Sequence, residues 1–400
     1  MTDAVVTLGC RLNLAESETI RGLIAGAERP TVEVNSCAVT AEAVRQSRRA
    51  VRRLRAAHPD ARLLVTGCAA TIAPQDFTAM PEVDGVVANP AKLDPAMWQA
   101  RPAPAPLDPA PSTRHTRAFV PVQTGCDHAC TFCIIPRGRG ASVSLAVDDV
   151  LRAVEGHLAL GVNEIMLTGV DVTSWGADLS GARQPGKQRL GDLVAAILRA
   201  FPALPRLRLS SLDGIEIDGL LFELITGEAR VMPHLHLSLQ SGHDLILKRM
   251  KRRHSRAQAI ALVERLRAAR PQIAIGADLI AGFPTEDAAM HAGNVSIVRA
   301  CGIVHGHVFP YSPRPGTPAA RMPHVPPPDV RERAAEVRAA VAAERARWLQ
   351  SLIGRPREVL AERDGTGHSP EFAPYRLPQG TAPGQLVMLT PTRITEGLLE

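Results

Sequence analysis

Lysine is scarce in this chain: only four of its 46 basic residues are Lys, at 92, 187, 248 and 251. An arginine bias of that size reflects composition, so Arg clusters carry little weight by themselves. The net charge of +6 and pI of about 9.2 permit a polyanionic partner without demanding one. No run of about 18 apolar residues occurs, which excludes a membrane-crossing helix. The opening MTDAVVTLGC carries Asp3 and has no basic region ahead of an apolar one, which argues against a secretory signal. The expected compartment is the cytoplasm, where the seven cysteines stay reduced and available as ligands. A second Cys-x2-Cys pair is also missing, which speaks against a four-cysteine zinc site. What remains is ample apolar content, 45%, in a chain of 400 residues, enough for two or three domains.

Within TGCDHACTFCIIPRGR, residues 124–139, three cysteines stand as Cys126-x3-Cys130-x2-Cys133. A [4Fe–4S] cluster normally takes four thiolates. This loop offers three, so one iron would stay open, and an open coordination site is where a metal does chemistry. A second set is spread along the N-terminal third. AVVTLG, TVEVNS and RLLVTG read as buried parallel strands, with helices over 13–25, 40–56 and 74–80. Cys10, Cys37 and Cys68 each close one of these strands. In a parallel sheet the C-terminal strand ends share one edge where ligands bind, so three distant thiols are delivered to one place. That implies a second three-cysteine cluster, again with one iron open.

The proline-rich stretch 101–115 has five prolines and reads as a semi-rigid spacer. After it come six strands, at 117–123, 162–169, 206–211, 234–240, 273–282 and 304–311. Helices over 145–160, 189–201, 216–228, 255–270 and 285–300 alternate with them. This pattern predicts an open, partial barrel with its active loops at the C-terminal strand ends. Residues 177–190 read as a polar surface insertion and 330–349 as a mixed-charge connecting helix. Beyond Gly354 the pattern changes to short strand candidates separated by Gly and Pro, which predicts a small β-barrel. The fold class is therefore α/β. The expected domains are an N-terminal parallel-sheet domain (1–100), the linker (101–115), a central partial (β/α)6 barrel (116–348) and a C-terminal all-β domain (349–400).

The Cys126–Cys133 loop, with Phe132 before the third Cys and IIP after it, resembles the radical S-adenosylmethionine (radical-SAM) enzymes, and among them the methylthiotransferases. TLGCRLNLAESE (with Asn13, Glu16 and Ser17), NSCAVT and VTGCAA are similar to the N-terminal domain of the same family. The stretch between Ser17 and Asn35 looks shorter than is usual there, which would change local geometry rather than chemistry.

This resemblance implies two [4Fe–4S] clusters. Cys126, Cys130 and Cys133 would hold the one that cleaves S-adenosylmethionine, and Cys10, Cys37 and Cys68 the auxiliary one that holds the sulfur to be transferred. It also implies cofactor-binding positions at Gly169, Asp171, Ser210, Ser211, Gln240 and Asp278, and a TRAM-like RNA-binding barrel at the end. The implied partners are a tRNA, a low-potential electron donor and a sulfur donor, with no membrane, for a monomeric enzyme. HVFPYSPRPGTPA (307–319), NSCAVT and LTGVDVTSWG resemble the branch that acts on threonylcarbamoyl-adenosine, the base next to the anticodon. The alternatives are isopentenyl-adenosine, an aspartate of a ribosomal protein, or a non-catalytic iron–sulfur RNA-binding or redox-sensing factor.

Candidate RNA contacts are Arg45, Arg48, Arg49 and Arg52 on the second helix and Lys251 and Arg252 in LKRMKRRHSR (247–256); a solvated helix explains each equally well. His234 and His236 share a strand face and read as hydrogen-bonded barrel residues, and Cys301 as a buried core thiol.

Overall fold

The computed structural model describes residues 4–99, 116–179 and 188–400; the linker expected at 101–115 and most of the insertion expected at 177–190 lie outside the described residues. Near the start, β1 (Val5–Thr7), β2 (Thr31–Ser36), β3 (Arg62–Gly67) and a short β4 (Gly85–Val86) form a parallel sheet in that order. All six residues of β2 are buried, as a central strand covered on both faces requires. The connecting helices are α1 (Arg11–Ala25), α2 (Ala41–Ala57), α3 (Cys68–Ile72) and α4 (Gln75–Thr78). Thr40 starts α2 by accepting the Ala43 N–H at 3.0 Å. The helix lays Val51 and Leu54 on the sheet and turns its arginines outward. The register sets Thr7 beside Asn35 and Asn35 beside Thr66, so the three strands end along one edge.

The central region opens with β5 (Ala118–Pro121) and a small hairpin of β6 (Gln123–Thr124) and β7 (Val143–Ser144), with α5 (Ile135–Arg139) between its strands. There follow α6 (Val147–Ala159), β8 (Glu164–Thr168), α7 (Leu190–Ala200), β9 (Arg206–Leu209), α8 (Gly219–Gly227) and β10 (His234–Gln240). The series ends with α9 (Asp244–Arg249), α10 (Arg256–Ala269), β11 (Ala274–Ala281), α11 (Ala288–Ala300), β12 (Ile303–Pro310) and α12 (Pro327–Gln350). All six expected strands are present. They run parallel as β5-β8-β9 and β10-β11-β12, and the bridges Leu207–Val231 and Leu212–Leu237 join the halves into the expected open barrel. Leu207, Leu209, Leu235 and Ile275 pack with the helices in one large core. Cys301 is part of that core, 1% exposed.

The tail forms more structure than its short apolar runs suggest. β13 (Arg357–Ala361), β14 (Thr366–His368), β15 (Pro374–Arg376), β16 (Leu386–Leu389), β17 (Ile394–Thr395) and β18 (Leu398–Leu399) make one sheet in the order β16-β13-β14-β15-β18-β17. The last strand, absent from the sequence pattern, is two residues long and pairs parallel with β15 through Leu399. No helix among the described residues is long and apolar enough to cross a membrane.

The barrel strands carry charge where an ordinary barrel is apolar. Glu164, the first residue of β8, is fully buried and accepts from Arg208 at 2.9 and 3.1 Å. Arg117 approaches the same carboxylate at 3.0 Å and Arg206 at 3.7 Å. Both β9 arginines then reach the C-terminal sheet: Arg206 bonds Glu358, and Arg208 donates to the Pro370 carbonyl at 3.1 Å. Burial alone would raise the Glu164 carboxyl; the charges of Arg208 and Arg117 and Arg208's hydrogen bonds outweigh it and hold its pKa down at about 2. A carboxyl depressed in the folded state stabilises above its unfolded pKa and loses that contribution as pH falls. Stability should therefore decline as pH drops from the ordinary value of 4.5 toward about 2. Glu164→Gln is expected to cost about 3–5 kcal/mol at neutral pH by leaving arginines unpaired. It should also flatten that acid decline; thermal melts across pH check both.

Candidate functional site

Three strands of the N-terminal sheet, β1, β2 and β3, each hand the chain to a cysteine at the same edge. Cys10 follows β1 and caps α1, Cys37 follows β2, and Cys68 follows β3 as the first residue of α3. Two glycines make the edge tight. A Cβ on Gly9 (φ +97°) would stand 2.8 Å from the Cys37 sulfur, and one on Gly67 (φ +92°) would stand 2.3 Å from the Ser36 carbonyl oxygen. Cys37 and Cys68 are buried and Cys10 is exposed. Burial pushes the Cys37 thiol up to about 11, and the nearby Cys68 and Cys10 add to the rise.

The second set lies in the loop after β6. Burial pushes Cys126 up to about 12 and Cys133 up to about 11, with the neighbouring cysteines again adding. Cys126 and Cys133 therefore resist ionising as free thiols; a bound cationic iron centre would reverse that balance, because it would itself be the largest local charge. All-sulfur donor sets, each with three members, fit iron–sulfur ligation in both places.

The Cys126–Cys133 loop is held from several sides. Thr131 donates its hydroxyl to the Arg249 carbonyl at 2.7 Å and its N–H to Met250 at 3.1 Å. Gln123 accepts the N–H groups of Val170 and Asp171 at 3.1 and 2.9 Å and donates to the Gly125 carbonyl at 2.8 Å. Gly169 has no room for a side chain, since a Cβ would lie 2.7 Å from the Gln123 carbonyl oxygen. The β8 loop, which contains the expected positions Gly169 and Asp171, thus rests on the cysteine loop. Asp171 is paired with His128 at 2.7 Å and lies 3.8 Å from the Cys126 sulfur. Burial would raise the Asp171 carboxyl, but the hydrogen bond and charge of His128 outweigh it and hold it below its ordinary value.

The helix that follows the second cysteine set touches the first set at Cys68. Gly138 on α5 sits so close to Cys68 that an added Cβ would come within 3.3 Å of its Cβ. Asn89 donates to the Gly138 carbonyl at 2.6 Å and approaches the Cys68 sulfur at 3.7 Å. Behind this contact Arg139, at the end of α5, donates to both oxygens of Glu16 at 2.8 Å, and Lys92 bonds the same carboxylate at 2.5 Å. Asn13 also accepts from Arg139, and its own amide donates to the Leu8 carbonyl at 2.8 Å beside Cys10. Sequence reasoning singled out Asn13 and Glu16 but missed Arg139 and Lys92. Arg139 ends the motif that follows Cys133, and Lys92, one of only four lysines, is buried; its rarity was the available signal.

The other expected positions are scattered along the barrel strands. Ser210 and Ser211 follow β9; Ser210 is buried, and its hydroxyl has no partner among the described residues. Gln240 ends β10 in a left-handed conformation, φ +68°. Asp278 lies inside β11 rather than on a loop, where it accepts from His236 at 3.0 Å and His307 at 3.1 Å. Gly276 leaves space for this, as a Cβ there would strike the His236 ring at 2.4 Å.

His236 is therefore hydrogen-bonded as expected, but His234 is not. Its two ring nitrogens lack partners among the described residues, and burial keeps it well below its ordinary pKa. It is held by ring contacts instead, stacked on Phe372 of the C-terminal sheet at 5.2 Å.

The expected RNA contacts divide. Arg45, Arg48, Arg49 and Arg52 lie on the outer side of α2, and each faces an acid: Glu42, Asp76, Glu42 and Glu82. Lys251 is exposed. Arg252 is not a surface group. Its side chain is 8% exposed and donates to Asp213 at 3.0 Å and the Ser238 carbonyl at 2.8 Å, with the Cys130 sulfur 3.6 Å away. The basic run at 247–256 thus pins the cysteine loop as much as it faces solvent.

An open parallel barrel with a three-cysteine loop after its first strand is the architecture of a radical-SAM enzyme, and residues 120–292 match the Radical SAM superfamily. Residues 2–88 match Uncharacterized protein family UPF0004. The fold is similar to that of the radical S-adenosylmethionine methyltransferase TsrM from Kitasatospora setae, with TM-score 0.51 and 17% identity over 75% of this chain and 66% of that one. In sequence, the chain is 42% identical to the Threonylcarbamoyladenosine tRNA methylthiotransferase MtaB of Rickettsia prowazekii, over 99% of this chain and 96% of the relative. It is 34% identical to the tRNA-2-methylthio-N(6)-dimethylallyladenosine synthase of Cereibacter sphaeroides, over 90% and 87%. The chain belongs to the radical-SAM tRNA methylthiotransferase family. It is an enzyme, and membership implies S-adenosylmethionine and a [4Fe–4S] cluster.

Proposed function

We propose that this enzyme methylthiolates C2 of N6-threonylcarbamoyladenosine next to the anticodon of tRNA. The reading is carried by two three-cysteine sets, Cys126, Cys130 and Cys133 and Cys10, Cys37 and Cys68, on regions that touch where Gly138 packs on Cys68, in a chain so similar to a relative named for that substrate. Each set would hold a [4Fe–4S] cluster; with S-adenosylmethionine bound they supply the one-electron cleavage and the sulfur to be transferred. The protein's part is position. Gln123 fixes the β8 loop, Asp171 and His128 stand beside Cys126, and Gly169, Ser210, Ser211, Gln240 and Asp278 line the strand ends and face available to the cofactor and base. An adenine in a stacked loop must be splayed out to reach such a site.

Arg45, Arg48, Arg49, Arg52 and Lys251 are proposed to meet the phosphate backbone, the four arginines exchanging their intramolecular acids for phosphates. The residue ranges 1–100, 116–348 and 349–400 serve as the sulfur-holding, radical and RNA-gripping parts. A low-potential electron donor and a sulfur donor complete the reaction in the cytoplasm.

Mass spectrometry of nucleosides from total tRNA tests this, comparing the parent strain, a deletion and a Cys126→Ala complement. Loss of the methylthio group from threonylcarbamoyladenosine alone, unrescued by the variant, is the expected result. Loss only from the dimethylallyl nucleoside would place the enzyme in the other branch. Unchanged nucleosides would sink the tRNA reading.

A further inference from the structure

The inner face of the barrel is unusually rich in charge, and nearly all of that charge is paired. Glu164 is taken by Arg208 and Arg117, and Asp278 by His236 and His307. Arg11 is the exception. Its guanidinium has no hydrogen-bond or ion-pair partner among the described residues, although the side chain is half-buried and the charges of Arg117, Arg208, Glu164 and Asp278 all reach it. It stands 6.0 Å from the centre of the Phe372 ring.

That ring packs against the barrel strands through His234 and Arg208. Phe372 adopts φ +70° in the turn before β15, stacks on His368 at 4.4 Å, and has Arg208 over its face at 4.7 Å. Arg11 also follows directly on Cys10. One end of this residue is thus fixed at the auxiliary thiols, and the other stands in the barrel with an unspent positive charge.

A half-buried guanidinium without a partner is stabilised by an anionic group that completes it. Nearby carboxylates do not complete it, since each already has its own partners. We infer that Arg11 receives the α-carboxylate of the threonylcarbamoyl substituent when the base enters between the two cysteine sets. The chemistry suits this group. A threonylcarbamoyl tail ends in a carboxylate and carries a hydroxyl, whereas a dimethylallyl tail is wholly apolar and offers a guanidinium nothing. A planar fork of donors matches a carboxylate in a bidentate manner. Arg208, His236 and Asp278 are already paired within the protein, so Arg11 is the group that an apolar tail would leave without a partner, and that difference is the basis for discrimination. Arg11 is then a specificity-determining residue. This inference rests on the threonylcarbamoyl reading above.

The test uses the full-length enzyme reconstituted with its iron–sulfur clusters and two anticodon stem-loop RNAs. One carries threonylcarbamoyladenosine and the other its methyl ester, which removes the negative charge and little else. The wild-type enzyme is expected to lose roughly 10- to 100-fold in kcat/KM on the ester, the range set by one charge-assisted hydrogen-bonded pair. Arg11→Gln is expected to lose a similar factor on the free acid and to treat the two RNAs alike, so that the losses are not additive. Arg11→Lys should restore part of the preference.

Equal rates of the wild-type enzyme on acid and ester would overturn the inference, and that arm needs no variant to fold. A variant that falls equally on both RNAs while keeping the wild-type preference for the acid would overturn it too, placing Arg11 on another group such as the carboxylate of S-adenosylmethionine. Methylthiolation of neither RNA by the wild-type enzyme would instead refute the substrate reading.

Discussion

Replacing Cys126 with alanine is expected to abolish both cleavage of S-adenosylmethionine and methylthiolation, whereas replacing Cys68 abolishes only the second. The reason lies in what each thiol touches. Cys126 sits in the loop held by Gln123 and Thr131, with Asp171 3.8 Å from its sulfur. The loops after the barrel strands converge there, and catalysis at such a barrel belongs to that face. Cys68 belongs to the other edge, at the end of β3, with Asn89 as its neighbour. Each cluster would be left with two thiolates where three are needed, too few to hold it firmly. Iron content per chain should therefore halve in either variant, which separates a lost cluster from a misfolded chain. Activity should fall below detection for methylthio transfer in both, a drop of at least about a thousandfold. Under reduction, 5′-deoxyadenosine should still form in Cys68→Ala and not in Cys126→Ala. If Cys68→Ala keeps its full iron content, the three thiols at the N-terminal sheet edge do not hold a cluster. If Cys126→Ala still yields 5′-deoxyadenosine, the radical centre has been placed in the wrong loop.

Much of this arrangement was legible because it rests on short-range rules. β2 reads as a strand since TVEVNS is buried on both faces, and Cys37 follows it as Cys10 and Cys68 follow their own strands; parallel pairing does the rest. The barrel strands were legible for the same reason, and so was Cys301 in the core. What stayed hidden depends on contacts between residues far apart in sequence. Nothing local distinguishes Arg252 from Arg253, yet one is buried beside Cys130 and the other is largely at the surface. His234 and His236 are two residues apart on one strand; whether each finds a hydrogen bond depends on Asp278 across the sheet and on Phe372 in the tail. The two-residue strand β18 is too short to show a period, and it exists because β15 offers an edge. Arg11 looked like one arginine among many in an Arg-rich chain until its lack of a partner among the described residues could be seen.

Arg139→Leu is expected to cost about 3–5 kcal/mol of stability, the usual penalty for removing one side of a buried ion pair, and to lower turnover beyond what that loss explains. Arg139 and Lys92 both bind Glu16, with 2% of each basic side chain exposed against 9% for the acid. Removing Arg139 leaves Glu16 half satisfied and frees Asn13 from the α5 helix, while Asn13 is also bonded to the backbone beside Cys10. The network therefore does two things: it stabilises the fold, and it sets one cysteine-bearing region against the other. The two effects separate in a variant that removes charge without leaving any unpaired. Glu16→Leu with Arg139→Leu and Lys92→Met replaces the triad by apolar groups, and such swaps are often neutral or better in stability. Thermal melting should recover most of what the single variant lost. Methylthio transfer should not recover, because apolar packing fixes no orientation between α1 and α5, while reductive cleavage of S-adenosylmethionine should survive in both variants. Transfer that returns together with stability in the triple variant would show that the triad only holds the fold together and has no part in aligning the two cysteine sets.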